Sequence, residues 1–166
     1  MRGNPLFQLT NKASEMEHKA PWECTYAKED KSKCKSGIPP KSDKGYFEIL
    51  SLGVLQAGLG WKMVRQNWTR FKHGFYDFNI AKLAEMRSSD LMKEPGVIRN
   101  RKKVQAIIHN AREFQKIIRE HGSFSNFLKS LKTMKDEEAF KALMKRFRHV
   151  GEYTAEYYLH CVGYWK

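Results

Sequence analysis

The chain has 166 residues, enough for one domain that buries its own core without disulfide or metal staples. Its 41% hydrophobic and 30% charged residues are typical of a globular protein, and no apolar run approaches the length that spans a bilayer. The N-terminal residues lack the apolar segment of a secretory signal. We therefore expect a cytoplasmic protein, associated with the nucleoid if its source is prokaryotic.

The net charge of +13, from 31 basic and 18 acidic residues, indicates a polyanionic partner, with nucleic acid as the first candidate. The alternative is that lysine-rich surfaces only confer solubility. A membrane surface is disfavoured as the partner, because the basic residues are not confined to the polar face of one amphipathic helix.

Residues 1–40 show little hydrophobic periodicity and contain four prolines, which predicts an irregular N-terminal arm. This arm includes Trp22 and Tyr26, whose large rings are costly to leave in water. We therefore expect part of the arm to pack on the main body, residues 41–166.

From Ser42 onward, apolar residues recur at spacings of three and four, which is typical of amphipathic helices. We predict one helix from an N-cap at Ser42 to a break at Gly58, a second over about 61–72, and a short third after Asn79. The clearest helix covers about 100–120 and stops at Gly122. Further helices are predicted over 124–131, from 136 to about 148, and beyond Gly151. No segment has a strand pattern, so the sequence predicts an all-α domain.

A Val-Gly turn joins the last two predicted helices within residues 147–155. Glycine lets a phosphate approach, and the backbone N–H groups at the start of the next helix lie at positive potential. In this interpretation Arg148, Gly151, Tyr153 and Thr154 hold one DNA strand. The alternative is an ordinary connection between helices with a glycine cap.

Cations crowd the start of the longest predicted helix, at Arg99, Arg101, Lys102 and Lys103. The helix dipole disfavours positive charge there, so the placement costs stability unless an anion compensates. We predict that these four residues contribute to DNA binding, with a solvated basic face as the alternative.

Four stretches of the chain match the motifs of one family in order along the sequence. Residues 47–61 are similar to Phe-Glu-x-x-x-Leu-Glu-x-x-Gln-Ala-Gly-Leu-Ser-Trp, and residues 96–111 to Gly-Ile-Ile-Arg-His/Asn-Arg-x-Lys-Ile-x-Ala-x-x-x-Asn-Ala. Phe75 and Phe78 match Phe-x-x-Phe, and residues 147–151 match Phe-x-x-Val-Gly. In these motifs the chain resembles the 3-methyladenine DNA glycosylase I family of helix-hairpin-helix DNA glycosylases.

The resemblance implies a helix-hairpin-helix glycosylase-like domain that works in base-excision repair. Such an enzyme flips an alkylated purine, for example 3-methyladenine, out of double-stranded DNA and hydrolyses its N-glycosidic bond. We expect it to act as a monomer without a cofactor. Trp61 matches the family's pocket tryptophan, whose indole can stack on a cationic base.

The predicted base pocket contains Tyr26, Gly53, Gln56 and Trp61, with Glu48 and Trp61 as the catalytic candidates. Gly53 stands where the family has a glutamate that reads the base, and Glu48 lies about 140° away around the helix. Two alternatives follow: a noncatalytic DNA-binding module on the same scaffold, or an RNA-binding or protein-interaction domain, which would rest on charge alone.

The family's zinc ligands have no clear counterparts in this chain. The chain has three cysteines, an odd number that cannot all pair with one another, so we expect reduced thiols. A tetrahedral site of Cys24, Cys34, His160 and Cys161 is an alternative, but their spacing is no recognised zinc pattern. We predict no metal, with His160 and Cys161 as ordinary helix residues.

Overall fold

The body of the protein is built from helices. The computed structural model describes residues 37–165, apart from the side chain of Trp61, and no strand occurs in that range. In chain order the helices are α1 (Asp43–Gln56), α2 (Trp61–Gln66), α3 (Trp68–Gly74), α4 (Ile80–Glu85), α5 (Ser88–Leu91), α6 (Arg101–His121), α7 (Phe124–Leu131), α8 (Asp136–Arg146) and α9 (Glu152–Cys161). The all-α prediction is confirmed. None of the described helices is both long and apolar enough to cross a membrane.

Polar side chains fix the starts of four helices. Ser42, Asn79, Asn100 and Ser123 each accept a hydrogen bond from the backbone N–H three residues further on. Each bond satisfies one of the amides that have no partner within the helix. Gly122, with φ +83°, ends α6 as expected.

The predicted helix over 61–72 is divided in two at Asn67. The Asn67 side-chain amide donates to the Met63 carbonyl at 2.9 Å, and its backbone N–H donates to the same carbonyl at 3.2 Å. Asn67 itself has φ −105° and ψ 11°, so α2 ends at Gln66 and α3 begins at Trp68. The four-residue helix α5 is too short for hydrophobic periodicity to reveal, and it was not predicted from the sequence.

Helix α6 lies at the centre of the body, where it packs against α1, α4, α5 and α7. Its buried Phe114 ring stacks on Phe124 of α7, with ring centroids 4.2 Å apart. The same ring meets Phe47 of α1 edge-on at 5.2 Å and Phe147, after α8, at 5.4 Å. One aromatic cluster therefore joins α1, α6 and α7 to the segment that follows α8.

The chain reaches the start of α6 through a close contact between two backbones. A Cβ atom on Gly74, the last residue of α3, would lie 2.8 Å from the carbonyl carbon of Gly96 and 2.9 Å from the Pro95 oxygen. Gly96 itself has φ +89°, a conformation that favours glycine. The approach of α3 to residues 95–97 thus requires glycine on both sides.

We expect Gly74→Ala to lower the free energy of unfolding by about 1–3 kcal/mol, because the added methyl group meets backbone atoms that cannot rotate away. Gly53→Ala, inside α1, is the matched control. Its Cβ would meet only the Thr154 methyl among the described atoms, at 3.5 Å. Loss of a helix-interior glycine should therefore stabilise the protein by about 0.5–1 kcal/mol. Urea denaturation of both variants measures the difference, and equal effects would contradict the close-contact argument.

Candidate nucleic-acid interface and base pocket

Residues 147–151 form the hairpin between α8 and α9. Phe147 is buried in the aromatic cluster, and His149 turns the chain in the left-handed region with φ +62°. Gly151 is the N-cap of α9, and no described side chain caps this helix. A Cβ on Gly151 would meet no described atom within 4 Å. The start of α9 thus offers backbone N–H groups beside open space, an arrangement that can bind an anion.

The hairpin is attached to α6 by one buried asparagine. The Asn110 side chain accepts a hydrogen bond from the Arg148 N–H at 2.8 Å and donates one to the Arg148 carbonyl at 3.2 Å. Just before the hairpin, at the end of α8, the Arg146 carbonyl lies 3.2 Å from the neighbouring His109 Nε2. Asn110 is only 1% exposed, so both of its bonds are shielded from water. Helix α6 therefore fixes the hairpin backbone.

Exposed cations occur within the hairpin and at the start of α6. Arg101 and Lys102, at the start of α6, and Arg148, within the hairpin, are all exposed. Partial burial lowers the pKa of the His149 imidazole, and the nearby Lys103 and Lys102 cations lower it further. Both lysines belong to the first turn of α6, so the charges at the start of this helix act on the hairpin. Arg99, just before α6, is also exposed, and its guanidinium lies 3.5 Å from the Met92 carbonyl.

Lys103 differs from its neighbours in this cluster. It is only 4% exposed, and its ammonium donates to the carbonyls of Leu55 at 2.9 Å and Ala57 at 2.5 Å. Burial lowers the pKa of this ammonium, whereas the carbonyls at the negative end of α1 favour its charged form. Lys103 therefore does not share the exposed position of Lys102, contrary to the expectation for this cluster.

Gly53 lies at a recess between α1 and α9. The recess is small, with a cavity volume of about 10 Å³, and almost wholly apolar, with the Thr154 methyl group 3.5 Å from where a Gly53 Cβ would be. Its other lining residues are Ile49, Leu50, Tyr157, Tyr158 and Cys161. The structure thus brings Gly53 and Thr154 together. Thr154, predicted to hold DNA, is half-buried, whereas Tyr153 is 57% exposed.

Glu48 does not line this recess. Its side chain is 16% exposed and lies 3.5 Å from the ammonium of Lys72 on α3, which also lies 3.4 Å from Asp77. Burial lowers the pKa of Lys72, but the two carboxylates outweigh this effect and raise it. Gln56 ends α1, and its carbonyl accepts from the N–H groups of Leu59 and Gly60.

Several predicted site groups lie outside the described part of the structure. They are Tyr26, Cys24, Cys34 and the indole of Trp61, although the Trp61 backbone is described as the first residue of α2. Their roles in a pocket or a metal site stay predictions. Within residues 37–165 no group of His, Cys, Asp or Glu side chains could hold a metal ion. His160 and Cys161 are buried in α9.

Sequence reasoning missed the roles of Asn110 and Lys103. Asn110 carried a usable signal, because a polar residue interrupts the apolar face formed by Ile107, Ala111 and Phe114. A buried amide in such a position needs hydrogen-bond partners, which points to an attachment for a neighbouring backbone segment. Lys103 carried no comparable signal within a run of cations.

The helical architecture and the hairpin on α6 define a helix-hairpin-helix DNA glycosylase fold. The model of the methyladenine glycosylase family matches residues 33–160. The chain belongs to this family, as the motifs indicated.

Relatives and solved structures agree with this assignment. The chain is 35% identical over 95 residues to DNA-3-methyladenine glycosylase 1 of Escherichia coli, a match that covers 55% of this chain and 51% of that protein. It is 29% identical over 149 residues to DNA-3-methyladenine glycosylase of Haemophilus influenzae, covering 76% and 80% respectively.

A structure of 3-methyladenine DNA glycosylase I from Staphylococcus aureus, solved to explain how that protein recognises 3-methyladenine, superimposes with a TM-score of 0.69 at 28% identity. The match covers 89% of this chain and 87% of that chain. A second structure of a 3-methyladenine DNA glycosylase I has a TM-score of 0.67 at 26% identity, covering 90% and 92%.

We expect Asn110→Ala to lower the free energy of unfolding by about 1–3 kcal/mol, because the N–H and carbonyl of Arg148 both lose their partner. Amide hydrogen exchange in residues 147–151 should also become faster. Asn126→Ala is the control, since the exposed Asn126 amide donates to the His121 carbonyl and water can replace it. Unchanged exchange in the hairpin of Asn110→Ala would contradict the attachment.

The lowered pKa of His149 predicts that the stability of the fold depends on pH. Because its pKa is lowered in the folded protein, the neutral form favours folding. This contribution is complete above the ordinary histidine pKa of about 6.5 and is lost as the pH falls. The free energy of unfolding, measured by urea denaturation, should therefore drop less between pH 7.5 and 5.5 in His149→Gln than in the original protein. An identical drop would show that His149 does not titrate differently on folding.

Proposed function

We propose that the protein is a DNA glycosylase that removes alkylated purines, such as 3-methyladenine, from double-stranded DNA. The observation that carries this proposal is the hairpin. In a chain of the methyladenine glycosylase family, the start of α9 is uncapped by any described side chain, is open at Gly151, and lies beside exposed Lys102 and Arg148. The names of the relatives support the substrate class.

The hairpin would hold a phosphate through the backbone N–H groups at the start of α9. Arg99, Arg101 and Lys102 would add a sequence-independent attraction for the backbone, and Tyr153 would reach it from the first turn of α9. Such contacts position the duplex and carry no base information. The protein would therefore bind undamaged DNA as well and recognise the lesion after it leaves the stack.

The chemistry needs little apparatus, because alkylation at N3 places positive charge on adenine. Breaking the bond between the sugar C1′ and the base nitrogen returns the electron pair to the base, which leaves as a neutral molecule. Water then adds to C1′ and loses a proton. A pocket that positions the base and stabilises the sugar cation can accelerate this reaction without a strong acid. Trp61 would stack on the cationic base, and Gln56 and Tyr26 are the polar candidates for the pocket. Glu48, the other catalytic candidate, pairs with Lys72 and does not line the recess at Gly53.

Gly53 favours a second candidate function, a noncatalytic DNA-binding module. Gly53 lies at an apolar recess between α1 and α9, and no carboxylate lines this recess. A hydrogen-bond acceptor that could read the base is therefore missing at Gly53. In the enzyme proposal, stacking and shape carry more of the selectivity, and we expect discrimination among alkylated purines to be weaker for that reason.

Incubation with alkylated duplex DNA should release free alkylated purine and leave abasic sites, both measurable by chromatography and strand cleavage. Trp61→Ala should slow release by about 10- to 100-fold, because stacking on one base contributes about 1–3 kcal/mol. Its affinity for undamaged duplex should stay within about twofold, since phosphate contacts supply nonspecific binding. Salt-sensitive binding without any release would establish the noncatalytic module instead, and equal loss of release and affinity would contradict the pocket role of Trp61.

A further inference from the structure

Lys102 and Lys103 are adjacent in the sequence but have different surroundings. Both ammonium groups act electrostatically on His149 of the hairpin, but Lys102 is exposed. Lys103 is 4% exposed, and its ammonium lies against the end of α1. Successive residues of a helix point about 100° apart, so one lysine can face solvent while the next faces the interior.

Lys103 completes the hydrogen bonding of the turn that follows α1. The last carbonyls of a helix have no partner within it. Here the Leu55 and Ala57 carbonyls accept from the Lys103 ammonium, and the Gln56 carbonyl between them accepts from the N–H groups of Leu59 and Gly60. Three consecutive carbonyls are therefore bonded, which fixes the turn over residues 57–60.

This turn leads directly into α2, whose first residue is Trp61. The other end of the lysine is fixed as well, because the Lys103 N–H donates to Asn100 Oδ1 at the start of α6. Further along α6, Asn110 holds the hairpin backbone. One helix thus connects the turn before Trp61 to the hairpin before α9.

We propose that Lys103 is a positioning residue for base excision, which holds the turn over residues 57–60, and with it the backbone of Trp61, at a fixed distance from the hairpin. This inference rests on the proposed function. Lys103 does not contact DNA in this arrangement, whereas Lys102 binds the DNA backbone. Lys103 therefore positions the turn, and Lys102 attracts the DNA.

The test compares Lys103→Met with Lys102→Met, which remove the same charge and keep similar side-chain length. Single-turnover release of alkylated purine is measured with saturating enzyme, at a temperature well below the unfolding midpoint of the weaker variant. Affinity for undamaged duplex is measured over a range of salt concentrations. Under these conditions a lysine that serves folding alone leaves the single-turnover rate unchanged.

We expect Lys103→Met to slow release by about 100-fold, because a displacement of about 1 Å at a reacting centre can cost that much. Its affinity for undamaged duplex should change by less than about twofold. Lys102→Met should instead bind undamaged duplex less tightly, with a salt slope smaller by about 0.9. A Lys103→Met protein with an unchanged rate, or with the binding loss expected of Lys102→Met, would overturn the inference.

Amide hydrogen exchange of a peptide covering residues 57–61 supplies a readout independent of activity. Exchange there should be faster in Lys103→Met and unchanged in Lys102→Met. If the original protein releases no base from alkylated duplex, the proposed function fails, and the exchange data still decide whether Lys103 holds the turn. Unchanged exchange in Lys103→Met would overturn that claim as well.

Discussion

The structure depends on the hydrogen bonds that one face of α6 makes to two other segments. Lys103 holds the end of α1, and Asn110 holds the hairpin at Arg148. The two residues are seven positions apart, which is two helical turns or about 10 Å along the axis. A helix of 21 residues keeps this spacing fixed. Phe114, one turn further, anchors the same helix in the aromatic cluster.

The cations at the start of α6 have two different roles, depending on whether they are exposed or buried. Exposed cations such as Arg101 and Lys102 can attract a polyanion over several ångströms, because dissolved salt screens this attraction only beyond about the Debye length. The buried Lys103 ammonium instead bonds to carbonyls that would otherwise lack partners. The start of α9 adds directional N–H donors beside Gly151. The recess at Gly53 has no charged side chain in its lining.

Hydrophobic periodicity and caps were sufficient to predict the long helices, because these features depend on residues close in sequence. The motifs that indicated the family are also short stretches of neighbouring residues, so they can be read without knowledge of the fold. Periodicity could not show that Asn67 divides a helix, or that Tyr76, Asp77 and Phe78 all adopt positive φ, since neither feature changes the spacing of the apolar residues. Nor could it show that Lys103 turns inward. Which cation of the run is buried depends on the position of the α1 carbonyls, and these are distant in the sequence.

Backbone amide chemical shifts, followed by NMR as a duplex with a stable abasic-site analogue is added, test the central claim most directly. We expect the amides of residues 151–153 to shift most, together with those of Arg101 and Lys102, and the shifts to weaken as salt rises. Residues 57–60 should shift with them, because α6 links the turn to the hairpin. Shifts confined to α7 and α8, with the start of α9 unchanged, would show that DNA does not bind at the hairpin.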